Sequence, residues 1–210
     1  MAKDAIESSL MLRVYGMSQS GNCHKVRMAL EALGLAYAWT EIDPLRGDTR
    51  ERAFLAMNPN GKVPVLEIES GTYLAESNAI LWYLADGTSL LPDGALSRAR
   101  VLQWLFFEQY SHEPYIAVAR YLRRFHPDPA SQHALAESKM SGGYRALEVM
   151  NGQLAQEPFF VAGRYSIADI ALYAYTHVAD DGGFDLERFP AVRAWLRRVQ
   201  AQPGYAPMPA

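Results

Sequence analysis

The chain contains a single cysteine, Cys23, so no intramolecular disulfide can staple it. Such scarcity suits a reducing compartment. Equally lacking is an excess of charge of either sign, since 20 basic side chains face 23 acidic ones for a net charge of -3. A protein that grips nucleic acid needs a basic field, and the composition offers none. The densest basic group, Arg120, Arg123 and Arg124, reads as the solvated face of a helix. No apolar run approaches the ~20 residues needed to cross a bilayer. Residues 1–9 (MAKDAIESS) have no apolar stretch of secretory type, and Asp4 and Glu7 argue against an acid-poor transit peptide. His112 and Glu113 have no second His or Cys at ligand spacing, so no metal is expected. These absences lead to an expected cytoplasmic protein with a flexible tail at 1–9, partnered by neither nucleic acid nor membrane.

Half of the chain is hydrophobic, enough for two small domains with cores of their own. The first half alternates in character. Residues 10–15 read as a strand, and 20–34 as a helix with Val26, Ala29, Leu30 and Leu33 at i, i+3, i+4, i+7. Gly34 is a natural helix stop. Residues 37–42 form a second strand, and 50–57 a short helix. The turn-rich run Asn58-Pro59-Asn60-Gly61 follows. A third strand at 63–68 turns at Ser70-Gly71 into a fourth at 72–74, and a helix spans 76–85. The order is βαβ, a helical link, then ββα, which makes 10–86 an α/β domain. Residues 87–95, with Gly87, Pro92, Asp93 and Gly94, read as a linker.

From 96 to 210 strand signals are lacking, and the second domain is expected to be all-helical. Helices are expected at 98–125, kinked by Pro114, then at 134–156, 166–180 and 190–201. The 134–156 helix carries a weak point at Gly142-Gly143. The first of these helices is apolar on more than one side through Val101, Leu102, Trp104, Leu105 and Phe106, as befits a buried or interfacial helix.

Three short segments carry chemistry. Val63-Pro64 places a residue without an N–H at a strand start. On the dipeptide alone the favoured reading is an ordinary trans proline. A cis bond would instead turn the Val63 backbone outward to pair with an extended peptide. Glu76-Ser77 opens a helix, whose free N–H groups and positive dipole end suit a carboxylate; plain N-capping is the commoner use. Ser18 to Lys25 joins the first strand to the first helix, where Ser20 or Asn22 can cap the helix or face a ligand. Cys23 lacks the second cysteine of a C-x-x-C pair and reads as packed against the core.

Taken together, S-x-N-x-x-K (Ser20, Asn22, Lys25), N-P-N-G-K-V-P at 58–64 and E-S-N-A-I at 76–80 resemble the cytosolic glutathione transferases over essentially the whole chain. The run FVAGRYSIAD at 160–169 resembles the capping segment of that family's helical domain. There Ser166 caps a helix while Asp169 reaches back from N3, a structural role.

The resemblance implies a thioredoxin-like N-terminal domain, a helical C-terminal domain, and a homodimer. It implies glutathione as co-substrate. Val63 would pair by backbone with the cysteinyl part beside a cis Pro64, Glu76 and Ser77 would hold the γ-glutamyl end, and Lys62 would approach the glycyl carboxylate. Ser20 matches the position of the activating serine or threonine of one group of relatives. Asn22 matches an asparagine important in a bacterial group close to disulfide reductases. Tyr15 precedes the loop and is discounted. For the second substrate, a small, partly apolar electrophile, the candidate walls are Tyr110, Ser111, His112, Tyr115 and Ala119. Disulfide or peroxide reduction, and glutathione binding without catalysis, stand as the alternatives.

Overall fold

The computed structural model describes residues 11–209. The tail expected at 1–9 and the expected strand start at Leu10 lie outside the described residues. The chain divides into two compact units, one of residues 11–91 with 203–209, the other Pro92–Gln202.

The first unit is built on a four-stranded sheet in the order β2-β1-β3-β4. Strand β1 (Leu12–Gly16) pairs in parallel with β2 (Tyr37–Glu41), Val14 opposite Trp39. It pairs antiparallel with β3 (Val65–Glu69), Val14 opposite Leu66. β4 (Thr72–Ala75) closes the edge as an antiparallel hairpin. Parallel β1 and β2 need a crossover, which α1 (Gly21–Leu33) supplies. The alternation of β1 buries Leu12 and Val14 and exposes Arg13. Over the sheet lie α1 and α3 (Ser77–Ala85), packed together. Val26, Ala29 and Leu30 of α1 and Ile80, Leu81 and Leu84 of α3 form the core with Val65 and Leu66. Gly34 ends α1 in the left-handed conformation, φ 65°. The short helix α2 (Arg52–Met57) follows a 3₁₀ turn.

Two boundaries moved. The third strand starts at Val65 rather than Val63, because Val63-Pro64 is cis and proline cannot donate to a ladder. The trans reading of the dipeptide is therefore corrected, and the resemblance was the better guide. Residues 203–209, expected with the helical domain, group instead with the first unit. Gly204, at φ 71°, runs so near α1 that a Cβ there would lie 2.6 Å from the Glu31 carbonyl oxygen.

The second unit is helical. Its first helix runs from Ala95 to Phe125 as α4 (Ala95–Phe107), a π turn (Glu108–His112), α5 (Glu113–Arg120) and a second π turn (Tyr121–Phe125). The expected irregularity at Pro114 takes the form of the first π turn, in which Glu113 N–H donates to the Glu108 carbonyl. Pro114 has no N–H to continue the ladder. Next come α6 (His133–Leu154), α7 (Ile167–Thr176) and α8 (Pro190–Gln200). The Gly142-Gly143 weak point is a packing requirement. A Cβ on Gly142 would meet the Tyr115 ring at 2.2 Å, and one on Gly143 the Phe184 ring at 2.3 Å.

The arginine group departs from the sequence reading. Arg120 is buried, and its Nε lies 3.0 Å from Asp181 Oδ2, while Arg124 reaches Oδ1 of the same carboxylate at 3.2 Å. Arg123 pairs with Glu137. The 3₁₀ turn Ala179–Gly182 packs against α5 and brings Asp181 to them, so the charges form a paired cluster rather than a solvated face.

Candidate functional site

The loop before α1 is held from β2. The Glu41 carboxylate accepts from Ser18 N at 2.8 Å, Ser18 Oγ at 2.7 Å and Trp39 Nε1 at 2.7 Å. Burial alone would raise the pKa of Glu41, but the two Ser18 hydrogen bonds and that from Trp39, with Arg27 nearby, bring it below the ordinary carboxylate value. Ser20 follows as the N-cap of α1, its Oγ accepting from Cys23 N at 3.4 Å. Capping uses the oxygen of Ser20, while its hydroxyl proton serves the Cys23 side chain beside it.

Asn22 lies in the first turn of α1, and its Oδ1 accepts from Ser77 Oγ at 3.2 Å. Ser77 is buried in the first turn of α3. Two helix N-termini thus meet through their side chains, 55 residues apart in sequence. Lys25 completes the group, with Nζ 3.4 Å from Ser77 Oγ. Lys25 is wholly buried. In the sequence Lys25 stands only as the last residue of the S-x-N-x-x-K motif. Two signals marked it: a cation in the first helical turns opposes the helix dipole, and it stands i+3 from Asn22 on one face.

Glu76 precedes α3 with φ 67° and ψ 110°, and its side chain makes no capping hydrogen bond. Plain N-capping by Glu76 is therefore not what the residue does. A left-handed φ is uncommon for a non-glycine residue and belongs with sites where other demands override local preference. The side chain is exposed.

The loop carrying Lys62, Val63 and Pro64 is organised by buried Asn58. Its Nδ2 donates to the Lys62 carbonyl at 2.8 Å and its Oδ1 accepts from Asn60 N at 3.1 Å. Gly61, at φ 62°, passes so close to Thr49 and Arg50 that a Cβ would lie 3.1 Å from the Thr49 carbonyl. Lys62 is exposed, Val63 half-buried and Pro64 buried.

Two reactive-looking side chains are unsuited to thiol chemistry. Burial pushes the Cys23 thiol up to about 12, despite a lowering hydrogen bond from Ser20. It stays protonated and packs beside Gly16, where a Cβ would meet Cys23 Sγ at 3.0 Å. Tyr15 donates to Glu67 at 2.9 Å, and its phenol pKa is raised, by burial first and then by that carboxylate.

The residues expected to face a second substrate belong to the other unit and are less uniform. Tyr110 is 87% exposed, and Ser111 and Tyr115 are half-buried. His112 and Ala119 are corrected: both are fully buried in the helical core, so neither offers a surface to an incoming molecule. His112 Nε2 lies 2.9 Å from Thr176 Oγ1. Among the described residues no three His, Cys, Asp or Glu side chains gather as a metal site would require, and no helix is long and apolar enough to cross a membrane.

Comparison with known proteins bears on this arrangement. Residues 19–86 match the model of the glutathione S-transferase N-terminal domain, and residues 105–203 that of the C-terminal domain. The chain belongs to the glutathione S-transferase family. The first unit is accordingly a thioredoxin-like domain and the second the helical domain of this fold. Among solved structures, a glutathione S-transferase from Pseudomonas fluorescens is 55% identical, with a TM-score of 0.93 over 95% of this chain and 100% of that one. Ure2p in complex with glutathione is 27% identical, with a TM-score of 0.83 over 94% of this chain and 98% of that one. The disulfide-bond oxidoreductase YfcG of Escherichia coli is 31% identical over 189 residues, 87% of each chain.

Proposed function

We propose that this glutathione transferase family member binds glutathione and activates its thiol for attack on a small, partly apolar electrophile. The observation that carries the reading is the meeting of Asn22 and Ser77 at two helix N-termini, beside buried Lys25. Such a place suits a carboxylate next to a developing thiolate. Glu76 receives the γ-glutamyl amine and Ser77 its carboxylate. The Val63 backbone, beside Pro64, pairs with the cysteinyl part, and Lys62 attracts the glycyl carboxylate. A homodimer in the cytoplasm is part of the same reading, with 10–86 as the glutathione domain and the helical domain holding the electrophile near Tyr110, Ser111 and Tyr115.

The chemistry follows from acidity. A thiol of pKa ~8.5 is only a few per cent ionised at pH 7. Serine is too weak a base to take the proton, which leaves for solvent. Ser20 instead turns its hydroxyl proton from Cys23 to the sulfur anion, a charge-assisted and therefore strong hydrogen bond. The thiolate then forms a sulfur–carbon bond with the electrophile, and the leaving group departs with its bonding electrons.

A second reading, reduction of disulfides by glutathione, is favoured by Asn22 and by the likeness to a bacterial disulfide-bond oxidoreductase. Turnover of a chloronitroaromatic, hydroxyethyl disulfide and a hydroperoxide with glutathione tests both. Conjugation of the aromatic alone supports the transferase, turnover of the disulfide or the hydroperoxide alone supports a reductase, and no turnover with intact glutathione binding would leave a binding protein.

A further inference from the structure

Trp39 and Glu41 stand two residues apart at the end of β2, on one face of the strand, opposite Val14 and Gly16 of β1. The indole is held in place. The Arg27 guanidinium of α1 lies 4.2 Å from its ring centroid, and a Cβ on Gly16 would meet the ring at 3.1 Å. The Glu41 carboxylate takes three donors on two oxygens, Ser18 N on Oε1 and both Ser18 Oγ and Trp39 Nε1 on Oε2. Ser18 is a central residue of the turn that Ser20 N closes by donating to the Met17 carbonyl at 3.0 Å. Two of the three bonds thus fix the turn that delivers Ser20 to the start of α1. A carboxamide cannot replace this carboxylate, because glutamine has one acceptor oxygen and an NH₂ that only donates. With its oxygen toward Trp39, the NH₂ faces the Ser18 N–H. With its oxygen toward Ser18 N, the NH₂ faces the indole N–H.

We propose that Glu41 is a positioning residue for thiol activation: by gripping Ser18, its carboxylate sets the Ser20 hydroxyl where it donates to the bound sulfur. The inference rests on the reading that Ser20 is that donor. The role runs against the charge, since a negative group near a thiol opposes its ionisation. Cys23 shows this: burial does most to raise its thiol, and the Glu41 charge adds to the rise. Through space alone Glu41 raises the pKa of a nearby thiol; through Ser20 it lowers that of the bound one.

The opposite signs make the test. Bound glutathione thiolate is followed by ultraviolet absorbance against pH, with saturation checked by calorimetry, in the full-length wild type and in Glu41→Gln, Ser18→Ala, Ser20→Ala and the double variant Glu41→Gln/Ser20→Ala. Glu41→Gln should raise the bound thiol pKa by about one unit, an approximately tenfold loss of thiolate well below that pKa. Ser18→Ala removes one of the three bonds and no charge, and should raise the pKa by less. Should Glu41→Gln fail to fold, Ser18→Ala decides alone, a rise supporting the role and an unchanged value overturning it. In the Ser20→Ala background Glu41→Gln should bring no further rise, because the group it positions is gone. An unchanged or lowered pKa in Glu41→Gln, or a rise as large without Ser20 as with it, would overturn the proposal. If Ser20→Ala itself leaves the pKa unchanged, Ser20 is not the donor, and the reading and the positioning role fall together. If Ser20→Ala raises the pKa and Glu41→Gln does not, only the positioning role falls.

Discussion

The indole of Trp195 donates to Asp169 Oδ1 at 2.9 Å inside the helical unit, and the same oxygen accepts from Phe160 N at 3.2 Å. Oδ2 accepts from Ser166 N at 3.0 Å and Ser166 Oγ at 3.1 Å, while Ser166 Oγ accepts from Ala168 N at 3.3 Å. One buried carboxyl group thus closes the capping box of α7 and ties it to α8. Capping alone is worth ~1 kcal/mol. Asp169→Ala also strands buried donors, each costing ~1–3 kcal/mol, so a loss of about 3 kcal/mol or more is expected in urea unfolding. The folded fraction should keep its turnover; full stability with lost turnover would refute a structural role.

The same group has a pH signature. Burial raises the Asp169 pKa from 3.8 to about 6, against the lowering hydrogen bonds from Trp195, Phe160 and Ser166. Between these values the folded state holds a proton that the unfolded chain has lost. Its contribution is therefore fully present below the unfolded value and is lost as pH rises through the folded one. Relative to Asp169→Asn, which does not titrate, wild type should gain stability as pH falls from 7 to 4.5. A relative loss would mean that the hydrogen bonds outweigh burial.

Two glycines of α6 should respond oppositely to alanine. Alanine in a helix is favoured over glycine by ~1 kcal/mol. At Gly152 nothing lies within 4 Å of the added Cβ, so Gly152→Ala should stabilise by up to that amount. At Gly143 the methyl would meet the buried Phe184 ring at 2.3 Å and Ile116 at 3.3 Å. Overpacking costs ~1–3 kcal/mol, so Gly143→Ala should be net destabilising. Thermal melts of the pair decide it.

Ser77→Ala should raise the glutathione dissociation constant roughly tenfold, the worth of one hydrogen bond to a charged group. The saturated rate should fall less. An unchanged calorimetric titration would count against the carboxylate site.

Ser20→Ala should raise the pKa of the bound thiol and move the saturated rate profile to higher pH, because the thiolate loses its donor. Should only Asn22→Ala do so, Ser20 is a cap and nothing more, and the reductase reading gains. Should neither move it, backbone amides must stabilise the sulfur.

The expected homodimer has a visible motive on α4 and the π turn after it, where Leu96, Phe106 and Tyr110 are 66%, 68% and 87% exposed. Sedimentation should give a dimer at micromolar concentration, and Phe106→Glu should shift it towards monomer. A wild-type monomer would sink the expectation.

Much of this was legible in one dimension. The period of 3.6 in α1 and α8 and the glycine at 34 are local properties, and local sterics suffice to specify them. So is the capping box, since Ser166 and Asp169 are three residues apart. The sequence by itself also brought out the motif residues Ser20, Asn22, Glu76 and Ser77, because each stands at a helix start. Only the tertiary structure decided how they combine. Asn22 and Lys25 meet Ser77 because α1 and α3 lie together over one sheet, a contact between residues more than fifty positions apart. The same holds for Arg120, whose burial depends on Asp181 arriving from a distant turn. It holds for Gly143, which looked like a weak point until Phe184 filled the space where its side chain would be. Periodicity reports which way a residue faces along its own helix; which partner waits there is set by packing between segments, where the energy of a buried charge or a lost methyl is decided.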